Sequence, residues 1–355
     1  MTAPTKYYVN PTTGTDDTAG GRGASSGDPW ATRQFALDNI TRDATNGDWI
    51  IGAGGVETLG KALDKSTYGT ATSAAPLWFD GGAIDGASLY ELQDTVRNYT
   101  SYFNLTLTNF TIVHLGESAK FINNSLVGFS YLYPVNNGGL VMGCFLDNPS
   151  TRCILGSATQ TTIINNILDN RGVGNSAINA SGDAIVVEGN VILVDGAANG
   201  VEIDSYGRVW SNSIWSNAGT GTGIKPRTNA QRGTDIRNNI VSGFSGVGGI
   251  GISYNSSEGG VVAGNAVYNC TTKYSAGSDR WVLDSDNESI TVNPFTDATN
   301  RDMTPIDTGN IIGGAYPTTM HTVGTSRGFD KGAIQAAAAA GGLLRHPGMS
   351  GGING

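Results

Sequence analysis

From about residue 100 onward the apolar residues fall in runs too short for helices, and asparagine or glycine closes each run. The phrases resemble one another. They include Phe103-Asn104-Leu105, Asn123-Asn124-Ser125-Leu126-Val127, Gly143-Cys144-Phe145-Leu146-Asp147-Asn148 and Ile164-Asn165-Asn166-Ile167-Leu168-Asp169-Asn170. Glu188-Gly189-Asn190-Val191-Ile192, Trp210-Ser211-Asn212-Ser213-Ile214, Arg237-Asn238-Asn239-Ile240-Val241 and Ala263-Gly264-Asn265-Ala266-Val267 continue the series. Aligned on residues 104, 124, 144, 166, 190, 212, 239 and 265, the steps are 20, 20, 22, 24, 22, 27 and 26, a mean of 23.

A period of 23 residues is too short for a propeller blade of about 40 or a helical hairpin of about 33. Leucine-rich repeats have the right length, but their leucine ladder is missing. One coil of a β-solenoid fits: three short strands joined by Gly/Asn turns, whose left-handed residues glycine permits and asparagine tolerates. The recurring asparagine predicts a stacked ladder, each amide bonding its neighbour about 4.8 Å away. Parallel strands connected in this way wind right-handed. The pattern predicts an all-β, right-handed parallel β-helix in which each inward Ile, Leu or Val, Ile167 among them, stands on the one below.

Residues 28–40 predict one amphipathic helix, with Asp28 as N-cap, Pro29 in the first turn, and Trp30, Phe35, Leu37 and Ile40 for its apolar side. Placed on the open end of the solenoid, it would block edge-to-edge pairing. Gly47-Asp48-Trp49-Ile50-Ile51-Gly52-Ala53-Gly54 reads as the buried strand that opens the first coil. The expected organisation is an N-terminal segment with its capping helix over 1–47, a β-helix of roughly twelve coils over 48–335, and an Ala/Gly-rich C-terminal strap over 336–355.

Composition narrows the classes. Charged residues make up 14%, and glycine, at 52 of 355 residues, is about twice its usual share without any Gly-X-Y period. Collagen and coiled coil are excluded. The net charge of −9 and the lack of a basic run argue against nucleic acid as a partner. No apolar stretch has the 18 or so residues of a membrane-spanning helix, so no membrane partner is expected. The start lacks the layout of a secretory signal, which predicts synthesis in the cytoplasm. Cys144, Cys153 and Cys270 are too few and too scattered for a disulfide frame or a zinc site, and read as small buried hydrophobes. No cofactor or metal site is predicted.

Tyr7-Tyr8-Val9-Asn10-Pro11, the Gly/Asp-rich loop after it, and Pro29-Trp30-Ala31-Thr32 resemble the N-terminal signature of the pectate-lyase-like right-handed β-helix proteins. Gly47-Asp48-Trp49-Ile50 resembles their first-coil phrase, and Phe329-Asp330-Lys331-Gly332-Ala333-Ile334-Gln335 their closing strand. The resemblance covers about residues 6–335 and implies the fold. That fold hosts lyases, hydrolases, epimerases, phage tailspikes and inert virion parts, so function must come from particular side chains. The Trp-Ile-Asp-His phrase of the classical lyases is absent, as are the Asp pair and Gly-His-Gly phrase of polygalacturonase-like hydrolases. Gly223-Ile224-Lys225-Pro226 resembles the hydrolases' substrate-binding Arg-Ile-Lys segment. The three histidines, His114, His321 and His346, are scattered.

Carboxylate pairs remain, since glycosidases need two carboxyls about 5–9.5 Å apart. In Gly200-Val201-Glu202-Ile203-Asp204, Glu202 and Asp204 alternate with Val201 and Ile203, so both should face outward on one strand as the catalytic candidates. Asp147 and Asp169 occupy matching slots in successive phrases and are a second pair. Trp210, Trp215 and Lys225, with Tyr206, would line a carbohydrate-binding groove beside Glu202; the competing reading puts the tryptophans in the core.

After Gln335 come five alanines and a Gly-rich stretch in which Leu343, Leu344, His346, Met349 and Ile353 read as partner-binding anchors. Two functions follow. The first is a non-catalytic bacteriophage virion protein, a head-decoration or fibre-type homotrimer attached through its termini to capsid or tail proteins. The second is a polysaccharide lyase or glycoside hydrolase, such as a tailspike depolymerase, acting on a surface glycan through Glu202 and Asp204.

Overall fold

The computed structural model describes residues 3–306 except 19–20, 64–70, 93–98, 135–136, 157–158, 205, 228–232, 255–258, 277–280 and 284–286. The strap over 336–355, its anchors Leu343, Leu344, His346, Met349 and Ile353, and the closing phrase 329–335 lie outside the described residues. The chain is an all-β parallel solenoid of about nine turns. The twelve expected coils ran on to residue 335, past the described part. The chain forms two compact units, Met1–Ser150 and Thr151–Gly355.

In the second unit the first sheet is built from Thr162–Ile164, Val186–Glu188, Arg208–Trp210, Thr234–Arg237, Gly260–Ala263 and Trp281–Leu283. The second holds Ile167–Asp169, Val191–Asp195, Ser213–Asn217, Ile240–Ser242, Ala266–Tyr268 and Glu288–Ser289. The third holds Ile154–Gly156, Ile178–Ala180, Val201–Ile203, Thr222–Pro226, Ile250–Tyr254 and Thr272–Ala276. Pairing is parallel, and in-register aliphatics fill the interior. Ile163, Val187, Val209, Ile236 and Val262 stack on the first sheet, and Leu168, Ile192, Ile214, Val241 and Val267 on the second. Ile178, Val201, Ile224 and Ile252 stack on the third, and every one of these side chains is fully buried. The inward residue of the phrase around 167 is therefore Leu168, and Ile167 faces out.

The first unit is built the same way, with an aromatic interior. Ile50, Phe79, Tyr102, Phe121 and Val141 share one column, and the Phe79 and Tyr102 rings stack at 5.4 Å.

Asparagine forms the predicted ladder at the turn between first and second sheets. Asn166 Nδ2 donates to Asn190 Oδ1 at 2.9 Å, Asn190 to Asn212 at 3.0 Å, Asn212 to Asn239 at 3.0 Å, Asn239 to Asn265 at 2.9 Å and Asn265 to Asn287 at 2.8 Å. In the first unit Asn124 Oδ1 accepts from the Leu105 backbone N–H at 2.8 Å. Leu105, and not Asn104, therefore holds the ladder position there. Asn104 sits one residue earlier, where the backbone is left-handed (φ 52°), as do Asn123 in the first unit and Asn165, Ser211 and Asn238 in the second. Gly189 fills this slot at φ 64°, and a Cβ on it would come within 2.3 Å of Asn165 Oδ1. Cys144 substitutes in the ladder: its Sγ donates to the Phe121 and Met142 carbonyls at 3.2 and 3.3 Å. Burial pushes its thiol up to about 12, so it stays protonated.

The N-terminal helix spans Arg33–Asn39. It starts later than residue 28 because Trp30 is extended: its N–H donates to the Tyr8 carbonyl at 3.0 Å, and its own carbonyl accepts from Asn10 N–H at 2.7 Å. Thr32, not Asp28, is the N-cap and accepts from Phe35 N–H at 3.2 Å. The segment before residue 48 also contributes a sheet strand, since Thr5–Val9 pairs in parallel with Asp48–Gly52.

In the second unit the outer face of the second sheet is apolar as well. Ile167, Val191, Leu193, Trp215, Ile240 and Tyr268 pack against Ile290, Phe295, Ala298 and Met303. The last four belong to a segment that contains the antiparallel hairpin Phe295–Asp297 and Asp302–Pro305.

Candidate functional site

Val201 and Ile203 point into the core, so Glu202 between them projects from the third sheet. The parallel register sets Asn179, Glu202 and Lys225 in one outward column. Glu202 is well covered, its side chain 16% exposed, and both oxygens are engaged. Oε2 accepts from the Ser176 hydroxyl at 2.7 Å and from Asn179 Nδ2 at 3.2 Å, while Lys225 Nζ lies 3.1 Å from Oε1. Around this core, Arg227 donates to Asn179 Oδ1 at 2.6 Å, and Asn199 donates to Ser176 Oγ at 3.2 Å. Burial alone would raise the Glu202 pKa. The Ser176 hydrogen bond and the charges of Lys225 and Arg227 outweigh it and hold the carboxyl below the ordinary range. Glu202 is therefore a firmly ionised carboxylate, which suits a base or an ion-pair partner and not a general acid.

The other predicted residues are distributed around the coil. Asp204 lies just past the end of Val201–Ile203, with its N–H donating to the Ala180 carbonyl at 3.0 Å, so it does not share the strand of Glu202. Lys225 is brought to Glu202 as expected. Trp210 is on the first sheet, buried, with the Arg208 guanidinium 5.2 Å from its ring centre. Trp215 is on the second sheet, against the C-terminal hairpin. The structure thus places neither tryptophan on the third sheet with Glu202. The coil turns a corner between sheets, so residues eight to thirteen apart in sequence face different directions.

Asp169 is held by Arg171 at 2.6 Å and by Arg301 of the hairpin segment at 2.6 Å. Burial opposes its ionisation, but these guanidinium groups keep its carboxyl below the usual range. Its work is to fasten the hairpin.

Glu188 escapes the sequence argument. It neighbours Trp210 across the first sheet and is buried, and its Oε2 has no hydrogen-bond partner. Burial pushes its pKa up, offset only in part by Arg208. The signal was available, since Glu188 precedes the ladder Gly189-Asn190 in the slot that Trp210 and Arg237 fill one and two coils on. Among the described residues no group of three or more His, Cys, Asp or Glu is placed to hold a metal ion.

No family model and no curated protein matches the sequence. Solved structures do. The pectate lyase Pel9A superposes with a TM-score of 0.53 at 13% identity, over 95% of this chain and 97% of that one. A GH136 lacto-N-biosidase from Eubacterium ramulus gives 0.44 at 12%, over 81% and 68%, and a rhamnogalacturonan lyase 0.41 at 14%, over 82% and 90%. The chain has a pectate-lyase-like, right-handed parallel β-helix fold. At 13% identity the likeness is one of fold and carries no residue roles.

Proposed function

We propose that the chain is a non-catalytic β-solenoid that serves as a structural scaffold, in its finer form a virion protein of the head-decoration or fibre type. The observation that supports the scaffold reading is the state of Glu202. The best-placed outward carboxylate of the third sheet is paired with Lys225 and accepts from Ser176 and Asn179, so about three of its four acceptor positions are already committed within the protein. The virion form, the homotrimer and the gripping role of 336–355 rest on the sequence alone.

Light scattering on the full chain and on a chain ending at Gln335 tests this. A trimer or larger complex that falls to a monomer on truncation supports the assembly role; a monomer in both cases removes it.

A second reading, a polysaccharide-acting enzyme, is favoured by the likeness to a pectate lyase across nearly the whole of both chains. Incubation with a panel of acidic and neutral polysaccharides decides between the readings. Depolymerisation that disappears in Glu202→Gln would overturn the non-catalytic proposal.

A further inference from the structure

We propose that the outer face of the first sheet in the first unit is a binding site for a linear anionic glycan, built on Trp49 and Trp78 and flanked by Lys6 and Lys120. The strands Asp48–Gly52 and Leu77–Asp80 turn Ile50, Leu77 and Phe79 inward, so Trp49 and Trp78 project outward on adjacent strands. Parallel register places Lys6, Trp49, Trp78, Ser101 and Lys120 in one column, one residue per strand. With strands about 4.8 Å apart, the two lysine backbones lie about 19 Å apart along the column.

The column is open. Trp49 and Trp78 are only partly covered, with ring centres 6.2 Å apart and planes 53° to each other, and both lysines are exposed. Beside Trp78 a groove of about 520 Å³ is lined by Asn46, Pro76, Trp78, Tyr99, Ser101 and Lys120. That volume is in the range of sites that take small organic ligands.

Chemistry selects the occupant. Flat, partly exposed indole rings in series match the C–H faces of successive pyranose rings, which offer apolar surface between polar edges. The Lys6 ammonium already stands 5.4 Å from the centre of the Trp49 ring, and Lys120 closes the other end. In a protein of net charge −9, two cations bracketing an aromatic strip favour an acidic sugar chain over a neutral one. The neighbouring Asp43 keeps its charge but directs its carboxylate into its own turn, where it accepts from the Thr45 and Asn46 backbone N–H groups at 2.9 Å each. The inference stands whether or not the chain is catalytic, since it uses neither Glu202 nor its partners.

Isothermal titration of the full chain with alginate oligosaccharides, and with dextran oligosaccharides of equal length, tests the site. The wild type should bind alginate and give little heat with dextran. Trp78→Ala should lose binding, and Lys6→Glu with Lys120→Glu should weaken it at least tenfold and make the remainder insensitive to salt. The double lysine variant changes exposed side chains only, so it reports on the site even if Trp78→Ala folds poorly. Absence of alginate binding by the wild type, equal affinity for dextran, or an unchanged affinity in the lysine variant would each overturn the proposal.

Discussion

Asn212 accepts two hydrogen bonds from Asn190 through a single oxygen: the Asn190 backbone N–H at 2.9 Å and its side-chain amide at 3.0 Å. Asn212 also donates to the Val187 and Trp210 carbonyls at 2.9 and 3.0 Å, all in a fully buried setting. One side chain therefore completes the hydrogen bonding of two successive coils. Leaving a buried polar group unpaired costs about 1–3 kcal/mol, and Asn212→Leu strands several at once. It should destabilise the protein by about 3 kcal/mol or more. Urea unfolding measures this, and a midpoint equal to that of the wild type would remove the ladder from the account of stability.

Glu202 predicts a pH dependence whose sign is set by its lowered pKa. Such a group contributes stability above the unfolded-chain value of about 4.3, and the contribution is lost as pH falls through the lower folded value. Glu202→Gln keeps a partner for Ser176 but gives up the Lys225 and Arg227 attractions. At neutral pH it should cost about 1 kcal/mol, and the gap between variant and wild type should close as the pH drops below about 4. Thermal melts across pH check it; a gap that widens in acid would contradict the assignment.

Asp169 and Arg301 fasten the hairpin segment, whose own Phe295 and Met303 are fully buried against the second sheet. Met303→Ala should cost about 2–5 kcal/mol. Arg301→Ala should mostly loosen the segment, because Asp169 retains Arg171. Hydrogen exchange distinguishes local from global effects. In Arg301→Ala, faster exchange is expected over residues 290–306 with the Asn190 and Asn212 amides still protected; uniform loss of protection would show that the hairpin is part of the global folding unit.

The coil, the ladder and the parallel architecture were legible because they repeat: a buried asparagine every 23 or so residues leaves a mark that composition cannot blur. The phase was harder. In Asn104-Leu105 the asparagine fills the left-handed slot and a leucine the ladder slot, and the two slots are easily confused because asparagine serves both in other coils. The facing of Ile167 and Trp215 was not legible either. A strand covered on both sides reads as continuously apolar, and the cover comes from residues 290–306, more than 70 positions away. For the candidate site, alternation placed Glu202 outward and one repeat brought Lys225 to it. Trp210 and Trp215 were misdirected because the corners of the coil lie between them and Glu202. The Trp49–Trp78 pair went unnoticed because the strand of Trp49 reads as wholly buried and that of Trp78, Leu77–Asp80, falls before the region of clear repeats.

That contrast makes a paired test. Leu168→Asp puts a charge in the stacked interior, where an unpaired buried charge costs several kcal/mol, and should abolish folding. Ile167→Asp places its charge on the outer face beneath the hairpin, where the segment can lift away and admit water. It should fold, with the 290–306 segment exposed to protease. If both variants fail to fold, the hairpin is as integral as the core; if both fold, the inward stack is assigned to the wrong residues.

Arg33 gives the sharpest test of how the helix is attached. Its side chain is 1% exposed and meets Glu57, 4% exposed, at 2.6 Å; its backbone N–H donates to the same carboxylate at 2.8 Å, and Nη2 donates to the Gly81 carbonyl at 2.7 Å. Such a pair is expensive to desolvate, so its presence adds little net stability, while removing one partner leaves the other charge buried alone. Glu57→Ala should therefore cost about 3–5 kcal/mol. The double change Arg33→Met with Glu57→Leu, which fills the same space with apolar atoms, should recover most of that loss. A double-mutant cycle read by urea denaturation measures the coupling. If Glu57→Ala is as stable as the wild type, water reaches Arg33 and the helix is not sealed onto the first coil. If the double variant is no better than the single one, the hydrogen bonds to the Arg33 backbone and to Gly81, and not the charges, are what hold the helix in place.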